Sequence, residues 1–338
     1  MIAKDDLEAT PLLRAPREGD ELAIRGGEEA TTKTVAPLSI TAIVLTYDEE
    51  IHVARCIERL RPLVARIVVV DSFSTDRTVE IARQMGAEVV QRAWKNPADQ
   101  LNWALETIGV DTDWVLRLDC DEYLEPGLQT ALRQRLGSLP SAVAGVEFKL
   151  KVIFRGRFIR FGGYYRTWLP RLWRRGAARI EQRWMDERAV LTQGRAIRLS
   201  GGDLVDASLK DIDWWTTKHN RYATLHMVDF VSREFELAPI DRSVESAGLG
   251  QGRLKRFLRH RVYAGAPLYL RAVLYFIQRY ILRLGFLDGR RGFVWHFLQG
   301  FWLFVLIDAK IDEARAMIRR DGPQAFQAWL RTRHGVEL

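Results

Sequence analysis

The chain has 338 residues, 47% hydrophobic and 28% charged, with 51 Lys and Arg against 43 Asp and Glu, a formal charge of +8 and a pI near 9.6. This is the composition of a globular protein with one large domain or two modest ones, and its basic balance suits nucleic acid, anionic lipid or phosphorylated substrates without choosing among them. The two cysteines, Cys56 and Cys120, have no metal or redox spacing, which argues against a disulfide framework and for reduced thiols in a cytosolic protein.

Residues 1–37 are charged, contain Pro and Gly and lack an apolar signal-like run, so a flexible tail is expected there. A β-branched run over 39–46 predicts a buried strand, and the acidic start at Asp48, Glu49 and Glu50 opens a helix. Residues 66–71 form a second strand ending at Asp71. The turn 72–76 leads to a helix over 77–85, which Gly86 stops, and 87–91 is a third strand. A helix follows over 99–108, then a fourth strand over 114–118. Alternating strands and helices with short links predict an α/β unit with a mainly parallel sheet. Ligands of such sheets sit at the strands' carboxyl ends, where Thr46, Glu49, Asp71, Asp119 and Asp121 gather.

The fourth strand ends in Asp119-Cys120-Asp121-Glu122. Two carboxylates spaced i and i+2 at a strand end are hard oxygen ligands for a divalent cation, Mg²⁺ or Mn²⁺. A cation held by one or two protein carboxylates keeps positions open for phosphate oxygens, which points to a diphosphate-bearing substrate.

Beyond Pro140, residues 146–152 alternate like a strand. Gly- and aromatic-rich segments follow at 161–165 and 170–176, and 211–230 predicts a helix carrying Trp214, Trp215, Lys218, His219, Tyr222 and His226. Arg171, Arg174 and Arg175 with Trp173 either bind a donor diphosphate or an acceptor phosphate, or form a solvated basic loop. The aromatics of 161–184 are either an acceptor platform or core. His219 and His226 share a helix face, where packing beside Trp215 and Tyr222 is expected rather than a metal site.

The blocks "SITAIVLTYDEE", "RIVVVDSFSTDRTVEIA" and "DWVLRLDCDEYLEP", in this order and spacing, resemble the donor-site blocks of family 2 glycosyltransferases with the GT-A fold. The C-terminal piece "LRLGFLDGRRGFVWHFLQGFWLFVLIDAKIDE" is similar to the tail of the branch that includes bacterial lipopolysaccharide-core β-glucosyltransferases and exopolysaccharide enzymes. The resemblance implies a Rossmann-like GT-A domain over 38–232, with Asp71 accepting from the uracil imide, Thr46 and Glu49 touching the nucleoside, and Asp119 and Asp121 as the D-x-D pair, Asp121 the direct metal ligand. It also implies a carboxylate base after the D-x-D, for which Glu187 and Asp186 are the candidates. Asp71 as a helix cap and Asp186 with Glu187 as a solvated acidic pair are the bland alternatives. The chain departs from the family at Phe73, where a glycine is usual and a change in the turn or nucleotide pocket is expected. It also has Asp186 and Asp206 where the core-glucosyltransferase branch often has His.

A basic linker is expected over 233–262 and a membrane-associating helical region over 263–338. Residues 266–284 read as an amphipathic helix, and the apolar run 293–307, about 15 residues, falls short of the ~20 needed to span a bilayer. Two helices in the cytoplasmic leaflet follow, with Arg253, Lys255, Arg256, Arg259 and Arg261 attracted to anionic headgroups; a buried hairpin or dimer interface is the alternative. The combined expectation is an inverting, metal-dependent hexosyltransferase at the cytoplasmic face of the inner membrane. It would move a hexose from a nucleotide-sugar donor, a UDP-sugar, to a lipid-linked saccharide acceptor of lipopolysaccharide or exopolysaccharide, with no nucleic acid partner. An inactive GT-A scaffold and a nucleotidyltransferase are the alternatives; the acidic first loop argues against the second.

Overall fold

A computed structural model describes residues 36–185, 188–237 and 267–338. The tail over 1–35, the pair Asp186 and Glu187, and most of the basic linker, with Arg253, Lys255, Arg256, Arg259 and Arg261, lie outside the described residues.

The chain opens with β1 (Leu38–Thr46), α1 (Glu50–Leu60), β2 (Val64–Asp71), α2 (Thr78–Gln84), β3 (Glu88–Gln91), α3 (Pro97–Thr107) and β4 (Trp114–Asp119). Strands β3, β2, β1 and β4 lie side by side and parallel. Successive residues of β1 point to opposite faces. Ile40, Ala42 and Val44 enter one core with Val53, Ile57 and Leu60 of α1, while Ile43 enters a second with Leu101 and Ala104 of α3. Burial on both faces explains why these strands read as continuous apolar runs.

The sheet is extended by β5 (Glu122–Leu124), which precedes α4 (Pro126–Arg135), and by β6 (Val143–Phe154), β7 (Arg157–Phe158) and β8 (Trp168–Arg174). The small pair β9 (Ala178–Ile180) and β10 (Ala189–Leu191) stands apart, and β11 (Arg195–Arg198) and β12 (Leu204–Asp206) return to the sheet. The path runs β3-β2-β1-β4-β8-β6-β12-β5. The segment 170–176 is therefore no loop: β8 lies antiparallel between β4 and β6. Leu172 packs on one face of the sheet and Trp173 on the other. Pairing with β6 skips from Leu172 to Pro170, so Arg171 sits in a β-bulge, a device that re-aims a side chain.

α5 (Ile212–Glu234) leaves the sheet, its N-terminus capped by Asp211, which accepts from Trp214 N at 2.8 Å. Past the undescribed segment come α6 (Leu270–Phe276), α7 (Gly289–Phe297), α8 (Leu303–Asp321) and α9 (Pro323–His334). π-Helical stretches lie at Ile277–Leu282 and Leu298–Trp302. The helix does not end at 307, as the apolar run implied, but continues over Gly285–Asp321, 37 residues, long and apolar enough to cross a membrane by length and composition. Its C-terminal half is spent on the protein core: Leu303, Ile307, Ile311 and Ala314 pack with Ala223, Met227, Val228 and Val231 of α5.

Candidate active site

The parallel register levels the strand ends. Thr46 lies beside Asp71, and Leu45 beside Asp119. The loops after β1 and β2 are laced together by hydrogen bonds that use the polar residues of both motifs, Thr75 N to Asp48 Oδ1 (2.7 Å) among them. Thr46 Oγ1 donates to Asp71 Oδ1 (3.0 Å), Asp48 N to Ser74 Oγ (2.9 Å), Glu49 N to Thr78 Oγ1 (2.7 Å) and Glu50 N to Asp76 Oδ2 (3.0 Å).

Asp71 is 0% exposed. Besides Thr46, its carboxylate accepts from Ser74 N (2.9 Å), Ser74 Oγ and Gln91 Nε2 (3.0 Å). Four donors occupy a group with about four acceptor positions, so Asp71 organises both loops. Phe73, two residues on, has φ +61° and is 54% exposed. The turn thus keeps the left-handed backbone that a glycine would adopt freely, at a steric cost of about 1 kcal/mol, and presents an aromatic ring outward.

Glu49 N-caps α1 with no side-chain cap bond. Its carboxylate instead meets His52 Nδ1 (2.5 Å) and Lys210 Nζ (3.1 Å). Lys210 also donates to Asp48 O (2.6 Å), and His52 Nε2 accepts from Leu209 N (2.8 Å). The first loop is thereby tied to the chain that enters α5.

At the end of β4, Asp119 is held from two sides, by Arg117 Nη2 (2.9 Å) and Arg171 Nη2 (3.1 Å). Arg171, its side chain 7% exposed, also reaches Glu122 Oε1 (2.5 Å), and Glu122 Oε2 accepts from Asp119 N (3.0 Å). Asp206 pairs in register with Glu122, and Ala207 N donates to Asp121 O (3.1 Å), so β12 and the D-x-D turn are knit together. Burial and the charge of Asp121 push the Asp206 carboxyl up to about 7. Burial and Asp119 push Glu122 well above the carboxylate range. Asp119 is raised as well, by burial and against the pull of Arg117.

Lys218, on α5, faces this acidic group. Burial alone would lower it, but Tyr222 and the carboxylates of Asp121, Glu49 and Asp119 outweigh that and hold its ammonium well above the usual range. Among the described residues no three His, Cys, Asp or Glu side chains form a group that could hold a metal ion by themselves. Asp119 and Asp121 are hard carboxylates that would supply one or two ligands to a divalent cation and leave its other positions open for diphosphate oxygens. The residues fit such a cation.

Thr46, Glu49, Asp71, Asp119 and Asp121 are thus gathered on one edge. Glu187 and Asp186 lie outside the described residues, next to Trp184 and Met185, whose amides donate to Asp229 of α5 at 3.1 and 3.2 Å. Of the arginine trio only Arg171 enters the site. Arg174 donates to Val143 O (2.9 Å) and lies over Trp114, and Arg175 donates to Val110 O (3.2 Å). His219 stacks on Trp215 with centroids 3.5 Å apart. Sequence reasoning assigned no role to Lys210 or Lys218 and met Asp206 only as a departure. A signal for Asp206 existed, because Leu204-Val205-Asp206 repeats the pattern of an apolar strand ending in a carboxylate.

Residues 41–197 match the model of glycosyl transferase family 2. The chain is 41% identical over 90 residues to an uncharacterized glycosyltransferase of Rickettsia felis, covering 27% of this chain and 31% of that protein. It is 26% identical over 205 residues to the lipopolysaccharide core biosynthesis glycosyltransferase LpsC of Rhizobium meliloti, covering 56% and 71%. Over 120 residues it is 32% identical to the succinoglycan biosynthesis protein ExoA of the same species, covering 31% and 36%. The matched part spans about a third of the length of the Rickettsia protein. The strand-end carboxylates and the α/β topology agree with that match: residues 41–197 are similar to glycosyl transferase family 2 on an α/β fold.

Proposed function

We propose that this protein is an inverting, metal-dependent hexosyltransferase that takes its sugar from a nucleotide diphosphate donor, a UDP-sugar, and delivers it to a lipid-linked saccharide of lipopolysaccharide or exopolysaccharide at the cytoplasmic membrane face. The observation that carries this reading is the D-x-D pair Asp119 and Asp121 at the carboxyl end of β4, held beside the end of β12, where Asp206 pairs in register with Glu122 and Ala207 N donates to Asp121 O.

Asp121 and Asp119 would hold Mg²⁺ or Mn²⁺, which supplies charge neutralisation for a departing diphosphate. Arg171 fixes the Asp119 carboxylate from the bulge in β8, and Lys218 adds a second positive charge over the same volume. Thr46, Glu49 and Asp71 frame the nucleoside side, where Asp71 sets the shape of both loops and Lys210 anchors Glu49. An inverting transfer needs a base that takes the acceptor hydroxyl proton on the face opposite the leaving group. Glu187 is our first choice and Asp186 the second, and the Asp229 contacts to Trp184 and Met185 support a segment held against α5.

Membrane contact is supported by the face of 270–297, where Leu270, Leu274, Ile281, Leu282, Leu284 and Phe286 are exposed, Leu282 by 73%. Because the second half of the long helix is used against α5, we assign the hairpin to the interface plane rather than to a span.

The test is the thermal shift of the full chain against UDP, GDP, CDP and TDP, each with and without Mn²⁺. Stabilisation by UDP only with metal is expected. Asp121→Asn should abolish both that shift and sugar transfer while leaving the metal-free protein folded, with a melting temperature no lower than wild type. Turnover like wild type in this variant would overturn the metal assignment.

A further inference from the structure

The apolar face of the 270–297 hairpin is bordered by arginines. Arg155 and Arg157 in the β6–β7 turn, Arg160 after it, and Arg283, Arg290 and Arg291 of the hairpin are all exposed. Among the described residues none of the six forms an ion pair with a carboxylate. The nearest acid in sequence, Asp288, is buried and turned inward, accepting from Arg160 N (3.1 Å) and Phe161 N (3.0 Å). Exposed guanidinium groups beside apolar side chains suit the boundary between lipid headgroups and acyl chains.

The two features meet at one place. An open groove of about 370 Å³ is lined by Tyr280, Gly289, Arg290, Phe293 and Val294. The Arg157 guanidinium comes within 3.9 Å of where a Cβ on Gly289 would stand, and Arg291 Nη1 donates to Arg155 O (2.9 Å), which fixes the turn against α7. The groove has an aromatic floor, where Tyr280 and Phe293 meet edge to face with centroids 5.6 Å apart, and a basic rim. Its floor runs on into exposed Phe297, Phe286 and Leu284. The groove is open to solvent, which suits a phosphate and glycerol with acyl chains laid along the adjoining apolar face.

We propose that Arg157 and Arg290, with the Tyr280–Phe293 floor, form a site for one anionic phospholipid, its phosphate bound by the two guanidiniums and its chains laid along the hairpin. Charge complementarity selects this occupant: the rim is cationic and planar forks suit phosphate oxygens, while the adjoining surface is apolar. The proposal rests on the membrane reading above and adds to it a fixed rotational setting, because a single bound lipid pins the β6–β7 turn and α7 to the bilayer together.

The experiment is flotation of the full chain with vesicles of phosphatidylcholine alone and with about 30 mol% phosphatidylglycerol. Wild type is expected to float with both, about 10-fold more tightly with the anionic lipid. Arg157→Gln with Arg290→Gln should cut that preference several-fold, leaving only what the basic segment 253–261 contributes, and keep the binding to phosphatidylcholine. Arg83→Gln with Arg135→Gln, the same charge change on α2 and α4, should keep both; the basic segment 253–261 is common to all three proteins. Equal loss in the two double variants, an unchanged preference in the first, or displacement by millimolar glycerol phosphate would each overturn the lipid site. Wild type binding both vesicles equally would overturn it and leave the membrane reading standing. Failure to float with either would overturn both.

Discussion

Asp206→Asn should stabilise the protein while damaging its chemistry. The Asp206 carboxyl is raised from an ordinary 3.8 to about 7, by burial first and then by Asp121. A carboxyl raised on folding is a proton bound more tightly by the native state, so stability is greatest below the unfolded value and declines as pH climbs through the folded one, a window of about pH 4 to 7. Three units at about 1.4 kcal/mol each set a ceiling of about 4 kcal/mol. Sharing of the repulsion with Asp119 and Asp121 and partial access to water leave about 2 kcal/mol at pH 8. Asparagine keeps the shape and removes the charge. In EDTA, the variant is expected to melt about 4 °C above wild type near pH 8, the gap closing toward pH 4. Mn²⁺ should reverse the order by stabilising wild type more. A variant less stable than wild type at pH 8 without metal, or a gap that does not change with pH, would refute the account of a charge-strained carboxylate cluster.

Gly162→Ala should cost about 3 kcal/mol, because φ there is +69° and the new Cβ would stand 2.1 Å from His296 Cε1; a melting temperature within a degree of wild type would show that the hairpin does not pack on this loop. Removing residues 253–338 should give insoluble protein rather than a soluble, membrane-free enzyme, since it bares Ala223, Leu225, Met227, Val228 and Val231 of α5; a soluble truncation with a sharp melting transition would contradict this.

The first half of the fold was legible because its strands are buried on both faces and its loops end in carboxylates. β1, β2 and β4 carry few polar interruptions, the edge strand β3 being half polar, and Thr46, Asp71 and Asp119 fall where a parallel register must level them. β8 was not legible. Pro170 and two arginines break its pattern, and only pairing on both sides with β4 and β6 makes a strand of it. The same bulge that spoils the periodicity aims Arg171 at Asp119, so the residue hardest to place is one that matters most to the site. Phe73 sits at φ +61°, and Asp71, Ser74 and the first loop supply the hydrogen bonds that hold the turn there.

The C-terminal helices looked in sequence like an appendage, and their contacts say otherwise. Asp288 accepts the amides of Arg160 and Phe161, Gly162 N donates to Arg283 O (3.0 Å), and Arg279 Nη1 donates to Gly162 O (2.8 Å) while its guanidinium lies over Tyr164. Backbone groups of this loop are therefore satisfied by the hairpin, and buried amides without such partners are costly. The loop leads directly into β8, whose Arg171 clamps Asp119 and Glu122. Any force that seats the hairpin on a surface is transmitted through a short, hydrogen-bonded segment to the carboxylates at the end of β4. On the proposed reading, in which the hairpin binds a membrane and the acceptor is confined to that surface, such an element would orient the carboxylates of β4 as well as tether them.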